Sequence, residues 1–215
     1  MKPKMLFLRI GSFLFCAWMF FGCGDLYRIN YSNIRADLIY SGSRSVAIGV
    51  LDQRPYVLNG EKDPKYVGTM RGGYGNPFDL FTQSDLRLVE DMSVTLADSL
   101  RSRGFQVAAV KAEVGKDAAN LLAELSAGGA ERILFLDVKD WWSDYYPASW
   151  GPERTELIMN IELKVMNPQR QVLASSRIET TENPPSGWPK DTIPGFYQKK
   201  MAVLLNDPSI QKALR

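Results

Sequence analysis

Four groups of residues in this 215-residue chain have types and spacings that could do chemistry. The densest is aromatic: Trp141, Trp142, Tyr145, Tyr146 and Trp150 put five large rings within ten residues. Such rings suit protein contacts, sugar faces or lipid headgroups. The competing reading is packing, with Trp141 and one tyrosine in a sheet and the others capping it. Asp52-Gln53-Arg54 is a polar trio directly after an apolar run. That is where α/β sheets place binding groups. The alternative is a turn in which Arg54 pairs with an acid or Asp52 accepts backbone amides. Arg-Gly-Gly-Tyr-Gly-Asn at 71–76 could present amides to an anion, with Arg71 and Tyr74 as contacts. It fits neither a P-loop nor a dinucleotide fingerprint. An exposed flexible loop is the plainer reading, and a partner-binding loop the sharper one. Asp137, Asp140 and Asp144 carry oxygen ligands of the kind calcium takes. Strand alternation assigns Asp137 and Asp140 to opposite faces, so no metal site is expected.

The chain has no histidine. Ser-His-Asp and Cys-His catalysis, and zinc sites that use histidine, are therefore excluded in cis. Acid–base work would fall to carboxylates and lysines alone. We expect no catalytic residues, no cofactor and no enzyme activity.

Cysteine chemistry points elsewhere. Cys16 and Cys23 are the only two. Lys2, Lys4 and Arg9 make a basic start, the 12 residues Ile10 to Phe21 are almost wholly apolar, and Gly22-Cys23 closes the run. This is the pattern of a secretion signal. A spanning helix needs about 20 apolar residues, so an uncleaved anchor is the weaker reading. Cleavage before Cys23 leaves 193 of the 215 residues, enough for one domain with a sizeable core. It also removes Lys2, Lys4 and Arg9, so the net charge of +2 becomes −1. A near-neutral chain lacks the basic face that nucleic acid would require. No pair of cysteines is left for a disulfide, although an exported compartment would permit one.

The elements that must position these residues are legible in part. The spacing predicts a signal over 1–22, a polar tether over 23–34, and one domain over 35–215. Ala36 to Tyr40 is a candidate extended segment. Ser45 to Leu51 is apolar on both faces and reads as a central strand. The stretch Asp52 to Ser84, with five glycines and three prolines, shows no periodicity and reads as a long mobile surface loop. Leu86 to Arg103 has helical spacing at Val89, Met92, Leu96 and Leu100, a cap at Ser84 or Asp85, and Gly104 as its stop. A strand over Phe105 to Val110, a helix over Asp117 to Leu125 and a strand over Arg132 to Trp142 follow. Thr155 to Met166 alternates cleanly, Asn167 to Arg170 turns, and Val172 to Glu179 returns as its antiparallel partner. Phe196 to Leu205 and a short tail from Asp207-Pro208 are helical. The order predicts a single-domain α/β (α+β-like) fold with a mixed β-sheet, a long antiparallel hairpin and about three helices.

Several strings carry a family resemblance. Phe20-Phe21-Gly22-Cys23 resembles the close of a bacterial lipoprotein signal; the others are Asp52-Gln53-Arg54 after the first core strand, Leu96 to Phe105 with Arg103-Gly104-Phe105, the hairpin Arg154 to Val165 with Val172 to Thr181, and the tail Asn206 to Leu214. Together they resemble YajG-type bacterial lipoproteins. The resemblance implies that Cys23 receives lipid and becomes the first mature residue, with the membrane as partner. Gly24 in place of Asp after that cysteine implies the outer membrane, on its periplasmic face, in a Gram-negative cell. It implies an envelope accessory protein that works by contact with another envelope protein. Recognition of envelope glycan or lipid through Trp141 to Trp150 is the alternative.

Overall fold

The computed structural model describes residues 27–115 and 117–215; residues 1–26, with Cys23, and the side chain of Trp150 lie outside the described residues. The signal and the lipidation expected at Cys23 therefore lie outside them too. Eight strands form one mixed sheet. Its spine is β6 (Arg132–Tyr146), a 15-residue strand. Along one edge β6 pairs antiparallel with β7 (Arg154–Met166), which pairs in turn with β8 (Val172–Glu182). Its other edge is shared end to end by two parallel neighbours. β2 (Ser45–Asp52) pairs with Arg132–Val138, and β3 (Tyr66–Arg71) pairs with Ser143–Tyr145. Beyond β2 lies β5 (Gln106–Val114), also parallel. Beyond β3 lie β4 (Pro77–Thr82) and the two-residue β1 (Arg28–Ile29).

Helices cover the two faces unequally. Val46, Ile48 and Val50 of β2 face the larger core with α2 (Leu88–Arg101), α4 (Pro189–Leu205) and α5 (Pro208–Leu214). Ala47 and Leu51 face a smaller core under α3 (Ala119–Ala127). Both faces of β2 are buried, as its unbroken apolar run requires. The helix-like spacing before Arg103 is α2, but its cap differs from expectation. Arg87 holds the N-cap position, and its backbone N–H donates to Glu90 Oε2 at 2.8 Å. Asp85 takes a left-handed turn, and the Ser84 hydroxyl donates to Asp91 at 2.7 Å instead. The Asp207 carboxylate caps α5, accepting from the Ser209 amide at 2.8 Å, as the Asp-Pro pair predicts.

Two expectations are corrected here. The stretch read as a loop contains α1 (Pro55–Leu58) and the β3–β4 hairpin, with Arg54, Val67, Leu80 and Thr82 almost wholly buried. Its one glycine inside a strand, Gly68, lies so close to Ser143 of β6 that a Cβ would overlap that residue's backbone and hydroxyl. The segment read as tether joins the sheet by Arg28, and Ile29 and Tyr31 are fully buried. Among the described residues, α1 is the one helix beyond the three and the short helical tail expected, and Pro189 starts α4 ahead of Phe196.

A bulge in β6 decides which rings are core. Val138 pairs with Ile161 and Asp140 with Asn160, so Lys139 is an extra residue on β6. Before it, Leu134, Leu136 and Val138 face the larger core; after it, Trp141 and Tyr145 do. The parity of inward residues flips from even to odd. Consequently Asp137, Asp140 and Asp144 all face away from that core, not to opposite faces as strict alternation requires.

Candidate functional site

The seam where β2 ends and β3 begins is filled by the Asp52-Gln53-Arg54 trio. Asp52 and Arg54 are completely buried. Arg54 donates from Nε and Nη2 to the two Asp52 carboxylate oxygens at 2.8 and 2.7 Å. Its Nη1 donates to the Tyr66 carbonyl at 2.6 Å and its Nη2 to that of Pro64 at 2.8 Å. The Gln53 amide donates to the Val138 carbonyl at 2.8 Å, and the Tyr56 hydroxyl donates to the Trp141 carbonyl at 3.0 Å. These bonds supply what the β6 edge lacks between its two parallel partners. The guanidinium stays charged because the Asp52 carboxylate offsets its burial, and burial holds the Tyr56 hydroxyl well above the usual phenol range. Asp52 and Arg54, offered by the sequence as binding residues, thus form a closed tie that no ligand reaches. Gln53 alone of the three faces outward, beside a shallow cleft of about 340 Å³ with Pro55, Leu58 and Asn59.

The aromatic segment divides between the two faces of β6. Trp141 is fully buried, with its indole N–H donating to the Tyr31 hydroxyl at 3.1 Å. Tyr31, Trp141 and Tyr197 meet edge to face, with centroids 5.1–6.3 Å apart. Tyr145 is also core; Trp188 stacks on it at 5.7 Å and its hydroxyl donates to Glu153 at 2.7 Å. Trp141 and Tyr145 are packing residues, and their placement as contact rings is corrected. Trp142 and Tyr146 are half-buried on the opposite face. The side chain of Trp150 lies outside the described residues.

Tyr146 anchors an arrangement that no motif in the sequence announces. The Arg71 and Arg154 guanidiniums both lie over its ring, 4.8 and 4.0 Å from the centroid. The Tyr146 hydroxyl and Arg71 Nη2 both donate to Asp144 Oδ2, at 2.9 and 2.7 Å. Arg154 also reaches Glu156 at 3.3 Å. Arg71, Gly75, Tyr146 and Arg154 line an open cleft of about 450 Å³. Register explains the gathering: β3 ends, β6 ends and β7 begins at one level, with Met70 beside Tyr145 and Tyr146 opposite Arg154. Two polar atoms there are buried without a partner, Arg71 Nε and Asp144 Oδ1. A cleft of this kind offers guanidinium donors and a ring face, suited to a carboxylate, a phosphate or a sugar. Tyr74, on the neighbouring turn, is 93% exposed. Arg154 carried no motif, and only the cross-strand register links it to Arg71.

The three aspartates do not form a metal site. Asp137 faces Lys139 at 3.8 Å, Asp140 accepts from the Tyr56 hydroxyl at 3.2 Å, and Asp144 holds Arg71. No acidic cluster that could hold a metal ion occurs among the described residues.

No protein-family model and no curated protein matches the chain. Among solved structures it is similar to a Xanthomonas campestris protein of family DUF330, at 10% identity and a TM-score of 0.42 over 85% of this chain and 89% of that one. It is similar to PelC of Paraburkholderia phytofirmans, a dodecamer, at 12% identity and 0.40 over 82% and 93%. It is also similar to lipoprotein GNA1162 of Neisseria meningitidis, at 12% and 0.29 over 65% and 83%. At these scores the likeness is one of general outline and carries no function across.

Proposed function

We propose that this chain is a lipid-anchored, non-catalytic accessory protein of the cell envelope, of YajG type, that acts by binding another envelope component. One observation carries the reading: Cys23 closes a basic, apolar, small-residue signal only four residues before Tyr27, whose ring packs beside Phe78 next to β1. The domain then stands directly on its anchor. Gly24 favours the outer membrane, periplasmic face. Blocking acylation tests the anchor. Cys23→Ala is expected to leave a precursor without acyl label, and mature labelled protein from that variant would overturn it. The partner is tested with the mature chain as bait: one envelope protein retained at fixed stoichiometry supports the reading, and turnover of an envelope polymer refutes it.

A second reading, recognition of envelope glycan or lipid, draws on the Arg71–Tyr146–Arg154 cleft. Retention on cell-wall glycan or lipid, lost in Arg154→Ala, would favour it over protein binding.

A further inference from the structure

We propose that the β3–β4 turn and the rings around it dock on the bilayer that anchors Cys23, entering its headgroup layer. This rests on the lipidated reading of Cys23. The topology brings the relevant parts to one end of the sheet. β1 runs parallel to β4, with Arg28 beside Phe81, so stepping back from Arg28 means moving along β4 toward Pro77 and the turn 72–76. Tyr27 confirms the direction, with its ring 5.4 Å from that of Phe78. The ends of β3 and β6 and the start of β7 lie at the same end.

Chain length then fixes what this end can face. Four residue steps separate Cys23 from Tyr27, so full extension carries Tyr27 at most about 14 Å from the acylated cysteine. The turn at 72–76 leads Phe78 by about two to three strand residues, or up to ~10 Å. The turn therefore covers most of the gap the tether can open. The residues it presents suit that layer. Tyr74 is 93% exposed, Phe78 39% and Trp188 44%. Exposed Tyr and Trp rings belong at the water–hydrocarbon boundary. The Arg71 side chain, a third of it in water, can turn its Nη1 donor to lipid phosphate while Nη2 holds Asp144. At the far end stand Arg44, Glu131 and the terminal Arg215, joined by polar contacts and without a comparable group of exposed rings.

The test uses the mature chain from Cys23, coupled through its thiol to a maleimide lipid in vesicles of phosphatidylethanolamine and phosphatidylglycerol. The same chain with a blocked thiol, free in solution, is the reference. Hydrogen exchange at 72–76 is expected to slow about fivefold on vesicles, as expected for one ring's surface withdrawn from water. Exchange at the opposite turn, 167–171, should not change. Tyr74→Ser should lose most of the slowing without moving the denaturation midpoint, since that ring packs on nothing. Unchanged exchange at 72–76 in vesicle-held protein overturns the proposal. The coupling is chemical, so that result is independent of acylation in the cell; finding Cys23 unmodified there would refute the anchor alone.

Discussion

Arg54 and Arg71 each face an aspartate beside the same long strand, and the two pairs have opposite characters. Arg54 is sealed: both its carboxylate contacts and its two carbonyl contacts are inside, and neither side chain of the pair is exposed at all. Arg71 sits at the strand's end with a third of its side chain in water, over a ring it shares with Arg154. A sealed pair stitches two strands that cannot pair with each other. An open pair leaves donors for something else. The same residue types thus serve as structure in one place and as a surface in the other, and only depth separates them.

The largest effect should come from breaking the sealed tie. Arg54→Ala strands the Asp52 carboxylate in the interior and should cost about 3–5 kcal/mol in denaturant titrations. Adding Asp52→Ala should cost less than the sum of the two single changes. A loss near that of a surface residue would show that water enters the seam. An apolar yardstick is Ile161, fully buried between Val138 and Ile178, where Ile161→Ala should cost about 2–4 kcal/mol.

Asp91 extends the comparison to a buried acid with no cation. Burial raises its pKa to about 6, against a partial offset from the Ser84 hydroxyl. The folded state therefore holds a proton that the unfolded chain releases near pH 4. Its contribution to stability is greatest below pH 4 and declines as pH rises through about 6. Asp91→Asn should remove that slope and stabilise the protein at pH 7 by about 1–2 kcal/mol. Parallel stability curves for the two proteins from pH 4 to 7 would contradict this.

The smallest effect belongs to the open pair. Arg71→Ala should cost only about 1 kcal/mol, since exposure screens the ion pair and Tyr146 still donates to Asp144. A cost equal to that of Arg54→Ala would erase the distinction and make both pairs structural.

The sequence disclosed what local rules govern. The Val89–Leu100 spacing, the alternation of β7 and the Asp207 cap are each set by residues within one or two turns of each other. The β3–β4 hairpin is silent in the sequence for a physical reason. Six-residue strands that hold Gly68 and open on Pro77 carry no periodic signal; β3 becomes a strand by pairing with β6, over 70 residues away, and β4 by pairing with β3. Deleting 62–76 would therefore remove β3 outright, where a surface loop would have been dispensable. The bulge at Lys139 was equally silent, and it alone decides that Trp141, not Trp142, is core. Of the candidate site, Arg71 and Tyr146 were visible as residue types, but Arg154 joins them only through the register of β6 and β7. The trio at 52–54 was visible too, and its competing reading as an ion-paired turn is the one the geometry bears out.

One placement has a bearing on the order in which the molecule closes. Tyr31 lies against Trp141 and Tyr197. A chain that emerges from its first residue onward makes Tyr31 early and must leave it exposed until the 197th residue is free to arrive. The start of the domain is thus fastened in two stages: Arg28 and Ile29 can join β4 early, and Tyr31 is enclosed only once Tyr197 arrives.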